Sequence, residues 1–579
     1  MRRFWALLSL TLPAAALSWL PQTIPGWSHV TVETANGPVV GHAAVNRSQV
    51  LEYLGIPYAQ PPVGSLRFAA PAQYASKSRF IASNYSAICP ETPSRPVAYP
   101  DATPQEQRIV AAFGSQLSRP QSEDCLTLNI WTKPTAKAKK GAKPVLVFFY
   151  GGRWSIGGTD TPFYNGQYLA DAEDVVVVTV NFRINIFGWP GAPGVPKNIG
   201  LLDQRLAVEW VRDNIKGFGG DASKIVIFGQ SSGSVAVDYW SYAYADDPIV
   251  SGYISHSGNV FSFPTNTEAL AEQHWYNASA MLGCGSSGDV LPCMRSKNFS
   301  DIKAAAAKVK PPVATSQARS QPAFQPTIDN VNVFSVDEYA SRSLAGNFSS
   351  LPYMFGNNDN EAGYYKIAAY AQGVVLPDAA WDAFNLQDFT CPNTFEAVNR
   401  ANANVPTWLF RYFGDWDNLR LYPTSGAYHG SDLEMVFGAS QDTEDELDRY
   451  LADGIVRGLR DPLEWWRVHY SDYPALSELA FDLLAISACS TECERVFSVA
   501  GNAISEERPR IKGDLAEAEQ CLKSWLRQQL VTLALRSIIN FSGGGGGGGD
   551  GDSDILLRVL LPAKILLRIL LTRPQTHTN

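Results

Sequence analysis

The stretch IVIFGQSSGSVAVDY, Ile225 to Tyr239, constrains this chain more than any other. Four β-favouring residues, Ile225 to Phe228, run into Gly229-Gln230-Ser231-Ser232-Gly233, and a helix-compatible segment follows. The order is therefore strand, tight turn, helix, the setting in which a serine hydroxyl is held exposed on a strained elbow. Glycines at 229 and 233 remove the Cβ atoms that would keep strand and helix apart around that serine. Gly-x-Ser-x-Gly is short enough to arise by chance in a Gly-rich chain, so the reading depends on finding partners for Ser231.

The chain around it supports a large α/β fold. Its 579 residues are 45% apolar and 11% aromatic, enough to bury a large core. A formal net charge of −9 argues against a dominant nucleic-acid-binding surface. Leu126–Trp131, Val145–Tyr150, Val175–Val180 and Ile225–Phe228 read as strands, while Leu202, Leu206, Trp210 and Ile215 recur at helical spacing between the last two. Such alternation predicts a mostly parallel central sheet flanked by helices.

Ser231 needs a base, a carboxylate to orient the base, and donors for an oxyanion, and on an elbow-type fold the chain order is Ser, acid, His. Of seven histidines, His29 and His42 precede the elbow and His256 follows it too closely for an acid-bearing strand to intervene. His274, in AEQHWYN, reads as a surface or satisfied core residue. His429 stands in GAYHGSDLEMVFG, on a Gly-flanked loop leading into an apolar helix, and is the favoured base. The acid should follow the strand beginning Tyr353-Met354-Phe355-Gly356, where Asp359 and Glu361 both qualify on pattern, each with an alternative as a turn or cap carboxylate. A Gly-rich loop in VLVFFYGGRWSIGG, after Tyr150, supplies backbone N–H groups for the oxyanion.

The chain opens MRRFWALLSLTLPAAALSWL, with Arg2 and Arg3, a short apolar stretch and then small residues, which reads as a cleaved secretory signal over residues 1–18. Acceptor triplets beginning at Asn46, Asn84, Asn277, Asn298, Asn347 and Asn540 fit a secreted, extracellular glycoprotein.

Taken together and in this order, EDCLTLNIW, the YGG loop, GLLDQRLAVEWVRDNIKGFGGD, FGQSSG, GNNDNEAG and YHGSDLEMVFG resemble the type B carboxylesterases, which include cholinesterases and fungal extracellular esterases and lipases. The similarity covers about residues 27–440. It implies an α/β-hydrolase fold, hydrolysis of small-molecule or lipid esters without metal or cofactor, Ser231 as nucleophile, Glu361 as acid and His429 as base. It further implies oxyanion donors at Gly152, Arg153 and Ser232, and disulfides Cys89–Cys125 and Cys284–Cys293. Three positions depart from the family pattern: Arg153 replaces a third glycine, Ser232 a small alanine, and Gln230 the glutamate of the cholinesterases. The last removes a negative charge that would favour cationic substrates, so choline esters are not expected.

Near residue 440 the texture changes. ELDRYLADG, DPLEWWRVHYSDYPALSELAFDLLAI and ECERVFSVAGNAISEERPRI resemble the C-terminal region of hAT-family transposases over about 442–530, where the family's helices support dimerisation. Glu494 would be an acid of that family's nuclease centre, inert here because two-metal chemistry needs carboxylates that belong to other domains of that family. Cys489, Cys493 and Cys521 lack a structural-zinc ligand pattern. Gly543 to Gly549 then precede ILLRVLLPAKILLRILL, in which Pro562, Arg558, Lys564 and Arg568 disfavour a membrane span and leave weak membrane-surface contact as the alternative to an inert tail. The expected division is a signal at 1–18, a hydrolase domain at 19–440 without the family's usual C-terminal helices, a mainly helical self-associating segment at 441–535 and a Gly-rich tail at 536–579. The juxtaposition points to a transposon insertion or a fusion of two gene models. The leading expectation is a secreted serine esterase. The alternatives are an esterase-fold binding protein without turnover and a dimerisation module.

Overall fold

The computed structural model describes residues 31–438, apart from 95, 135–141 and 311–320, together with Arg467. The expected signal sequence, Asn540, the 441–535 segment with Glu494 and its cysteines, and the tail lie outside the described residues.

Twelve strands are described: β1 Thr31–Thr34, β2 Gly37–Val40, β3 His42–Ala43, β4 Leu51–Pro57, β5 Phe80–Ile81, β6 Thr127–Thr132, β7 Lys143–Phe149, β8 Val176–Val180, β9 Gly220–Gln230, β10 Gly252–His256, β11 Tyr353–Asn358 and β12 Thr407–Tyr412. A small sheet, β1-β2-β5, sits apart from a nine-stranded sheet in the order β12-β11-β10-β9-β7-β8-β6-β4-β3. From β8 through β7 to β12 every neighbour is parallel, whereas β6, β4 and β3 close one edge in antiparallel fashion. This is the expected mostly parallel sheet, and its inner strands read as continuous apolar runs because helices cover both faces. All five residues of β8 are buried.

The expected strands fall within a residue or two of the observed ones except at β9, which begins at Gly220 rather than Ile225. Lys143 pairs with Gly220 there and Val145 with Ile225, so Asp221 to Lys224 form an irregularity in the ladder, with side chains that are at least partly exposed and carry no apolar signal.

Two ion pairs, each with its acid in one of the recognisable motifs, fix the layers. Arg183 holds Asp203 through Nε–Oδ2 at 2.8 Å and Nη2–Oδ1 at 2.7 Å, tying the chain after β8 to the helix Ile199–Asn214. Arg67 grips Glu123 through Nε–Oε1 at 2.6 Å, and its Nη1 donates to the carbonyls of Arg295 and Lys297. Both implied disulfides are present, Cys89–Cys125 and Cys284–Cys293. Below the sheet Phe148 packs on Tyr164, Phe228 and Phe437 with ring centroids 4.9, 4.9 and 5.0 Å apart. Phe437 ends the helix Asp432–Phe437, so burying it anchors the loop before that helix, at roughly 2–3 kcal/mol of transfer free energy.

Candidate active site

The sheet and its loops converge on Ser231. β9 ends at Gln230, the helix Ser232–Ala243 begins at once, and Ser231 between them has φ 56° and ψ −124°. That conformation is strained for any residue with a Cβ and persists because the surroundings fix it. A Cβ on Gly229 would collide with the Gly233 carbonyl, and one on Gly233 with the Phe149 carbonyl, which is why both flanking positions are glycine. The Ser231 N–H donates to the His256 carbonyl at the end of β10, at 2.8 Å, pinning the elbow to the next strand.

β11 delivers the acid. Asn358 ends the strand, and after a two-residue turn Glu361 precedes the helix Ala362–Tyr370. Glu361 is fully buried. Its Oε1 accepts from the Ser257 hydroxyl and from the Asn358 backbone N–H, each at 2.6 Å, and Oε2 lies 2.5 Å from Nδ1 of His429. Asp359, the other carboxylate open on pattern, points away and pairs with Arg411 at 2.8 Å. The structure thus separates two candidates that the spacing alone left equal.

His429 reaches the elbow from the loop before Asp432–Phe437. Its ring packs against Tyr365 and Phe389, at centroid distances of 4.9 and 5.4 Å, which limits its rotation. Nε2 is 3.1 Å from the Gln230 side-chain nitrogen and 3.3 Å from the Tyr365 hydroxyl. Ser231 and His429 both line a cavity of about 570 Å³ that also takes in Gly151, Gly152 and Arg153. His274, as expected, is a satisfied core residue, with Nδ1 2.8 Å from the Ala323 carbonyl.

The Gly-rich loop after β7 carries unusual backbone. Gly152 has φ 118°, and Arg153 and Trp154 follow with φ 52° and 63°. A Cβ at Gly152 would collide with the Ile156 carbonyl, so this glycine is required. The loop is held from several sides. The Glu91 carboxylate accepts from the Gly157 N–H at 2.9 Å and is itself bridged by Arg119, which also pairs with Asp160 at 2.6 Å. The Ser232 hydroxyl accepts from the Trp154 N–H at 3.4 Å, so the serine that replaces the family's small residue links loop to elbow. Among the described residues the N–H groups of Gly152 and Ser232 donate to no protein acceptor.

Sequence reasoning missed Ser257, the Tyr365 hydroxyl and a second buried pair, His256 Nδ1–Asp432 Oδ2 at 2.7 Å. Burial pushes the Asp432 carboxyl up, but the His256 hydrogen bond and charge outweigh it and hold it below the usual carboxylate range. No contiguous motif joins His256 to Asp432, since the two are 176 positions apart.

A strained serine at a strand–helix turn, a glutamate-held histidine and a Gly-rich loop above a parallel sheet define an α/β-hydrolase. The chain belongs to the carboxylesterase family, whose model matches residues 28–387, and it is accordingly a carboxylic ester hydrolase. It is 32% identical to a chlorogenic acid esterase of Aspergillus niger over 418 residues, 70% of this chain and 76% of the relative. It is also 32% identical to secreted lipase 5 of Gibberella zeae over 506 residues, 81% and 92% of the two chains. Acetylcholinesterase of Electrophorus electricus is 34% identical over 358 residues, 60% of this chain and 53% of that one. Residues 446–526 match the hAT family C-terminal dimerisation region.

Proposed function

We propose that ester hydrolysis runs through Ser231, His429 and Glu361. The Ser231 oxygen attacks the ester carbonyl while Nε2 of His429 takes its proton, and Glu361 holds the Nδ1–H and favours the imidazolium that forms. The carbonyl oxygen, now anionic, accepts from the backbone N–H groups of Gly152, Arg153 and Ser232. The imidazolium returns its proton to the departing alkoxide, leaving an acyl-Ser231 ester. Water activated by the same histidine then cleaves that ester to release the acid.

The observation that carries this reading is the 2.5 Å contact between Nδ1 of His429 and the fully buried Glu361, which leaves Nε2 facing the Ser231 cavity. Kinetics on 4-nitrophenyl butyrate test it. Ser231→Ala and His429→Ala should each lower kcat by at least about 10³-fold without loss of the folded circular-dichroism spectrum. Ester turnover undiminished in Ser231→Ala would refute it.

We also infer secretion. The Arg-led N-terminal stretch fits a signal sequence, and the described sequons, at Asn46, Asn84, Asn277, Asn298 and Asn347, all have exposed asparagines that can carry glycans. Two disulfides are consistent with an oxidising compartment. Glycosidase treatment of secreted protein should shift its mass, and an unshifted intracellular product would refute the route. The match at residues 446–526 supports self-association through that segment. Light scattering of the full chain at micromolar concentration should give a dimer mass, and a monomer would count against it.

A further inference from the structure

One turn of helix grips both nitrogens of the base. Glu361 stands at the start of the helix Ala362–Tyr370 and Tyr365 lies four residues on, so the two side chains share one face of that turn. The Glu361 carboxylate is 2.5 Å from Nδ1 of His429, and the Tyr365 hydroxyl is 3.3 Å from Nε2. The Tyr365 ring is buried against Phe384 and Phe389, at centroid distances of 4.9 and 6.2 Å, which holds the hydroxyl at that place. Tyr365 also lines the cavity that contains Ser231.

With the Nδ1–H turned to Glu361, Nε2 carries the lone pair, and the Tyr365 O–H donates to it beside the Gln230 amide. Once Nε2 takes the serine proton it can accept from neither. The amide re-aims only by moving the Gln230 side chain, whereas the hydroxyl hydrogen turns about a single C–O bond. At this stage the alcohol oxygen of the ester must come within hydrogen-bond reach of Nε2, from which it takes its proton on leaving. That oxygen gathers negative charge as its bond to the acyl carbon breaks, and so becomes a stronger acceptor than a neutral group.

We propose that Tyr365 is a further catalytic residue, whose hydroxyl donates a hydrogen bond to the departing alcohol oxygen of the ester. The tyrosine gives up no proton. The electron pair of the acyl C–O bond goes to the alcohol oxygen, the Nε2–H of His429 supplies the proton, and Tyr365 stabilises the charge in between. An aliphatic alcohol is a poor leaving group and needs this help, whereas 4-nitrophenoxide leaves readily without it. The contact therefore favours esters of unactivated aliphatic alcohols.

This inference rests on the serine-esterase reading, and the experiment separates the two. The probes are butyl butyrate and 4-nitrophenyl butyrate, which share an acyl group and differ in the alcohol, assayed on the full chain and on Tyr365→Phe. The constant compared is kcat/KM, which covers the steps up to loss of the alcohol and is blind to hydrolysis of the acyl-enzyme. The readout is the ratio of kcat/KM for the butyl ester to that for the nitrophenyl ester, so a general disturbance of the site cancels. The ratio should fall at least about tenfold in Tyr365→Phe. A second variant, Tyr365→3-fluorotyrosine, keeps the ring and the hydroxyl and makes the hydroxyl a stronger donor. The ratio should rise there by about threefold, which a tyrosine that only packs against His429 would not produce. A ratio unmoved in either variant, with both esters turned over, would overturn this inference alone. No turnover of either ester by the unsubstituted chain would overturn the esterase reading and this one with it.

Discussion

The side-chain nitrogen of Gln230 lies 3.1 Å from Nε2 of His429, the nitrogen that would take the serine proton. With Nδ1 engaged by Glu361, Nε2 is the lone-pair nitrogen and accepts from the amide, while the Ser231 hydroxyl makes no hydrogen bond among the described residues. Serine must displace this contact as substrate binds. Gln230→Glu would place a carboxylate beside the nucleophile and raise selectivity for cationic esters. The ratio of kcat/KM for butyrylcholine to that for butyl butyrate should rise by roughly three- to tenfold at low salt and lose most of that gain at high salt.

Glu361 has three partners, Ser257, the Asn358 N–H and His429. Glu361→Gln keeps its volume but removes the negative charge and offers an amide that disrupts the tautomer His429 needs. We expect kcat for 4-nitrophenyl butyrate to fall by about 10³–10⁴-fold with the far-ultraviolet spectrum unchanged. A loss below tenfold would mean that the carboxylate only packs there.

His256 and Asp432 are both buried, and Asn358 adds a contact to Asp432 at 3.2 Å. Asp432→Asn removes the charge of this buried pair and turns an amide N–H on either His256 or the Asn358 amide, which should cost about 3–5 kcal/mol in denaturant unfolding at neutral pH. The Asp432 carboxyl is held below its ordinary value of about 4, so its contribution is present above that pH and is lost as pH falls through the folded value. The difference between parent and variant should therefore shrink in acid below about pH 4.

Glu434 behaves in the opposite sense. Burial pushes its carboxyl up to about 7, opposed by Arg108, and its Oε1 has no hydrogen-bond partner among the described residues. A raised acid is protonated in the folded chain while already ionised in the unfolded one, so stability falls as pH rises from about 4.5 to about 7. Glu434→Gln should remove that slope and stabilise the protein at pH 7 and above by on the order of 1–3 kcal/mol, read from unfolding midpoints across that range.

The elbow was legible in the sequence because its requirements are local: β-favouring residues, two glycines with no room for a Cβ, and a helix within fifteen residues. β7 and β8 were legible because strands buried on both faces read as unbroken apolar runs. Glu361 and Asp359 could not be told apart on pattern, since both lie in one polar turn. What separates them is the direction each side chain takes after β11, one to His429 and the other to Arg411. Ser257 and Glu361 are 104 positions apart, and only the parallel pairing of β10 with β11 brings them together. Arg153 stood out in the sequence as a departure from its family's glycine. Its place in the lining of the Ser231 cavity comes from the fold.

The central claim is that Ser231 is the activated nucleophile, and covalent labelling of the full chain tests it most directly. A fluorophosphonate probe followed by peptide mapping should modify the peptide containing Ser231 stoichiometrically. Labelling should vanish in Ser231→Ala and slow by at least about 10²-fold in His429→Ala. Labelling at another serine, or none on soluble folded protein that still hydrolyses esters, would contradict the account.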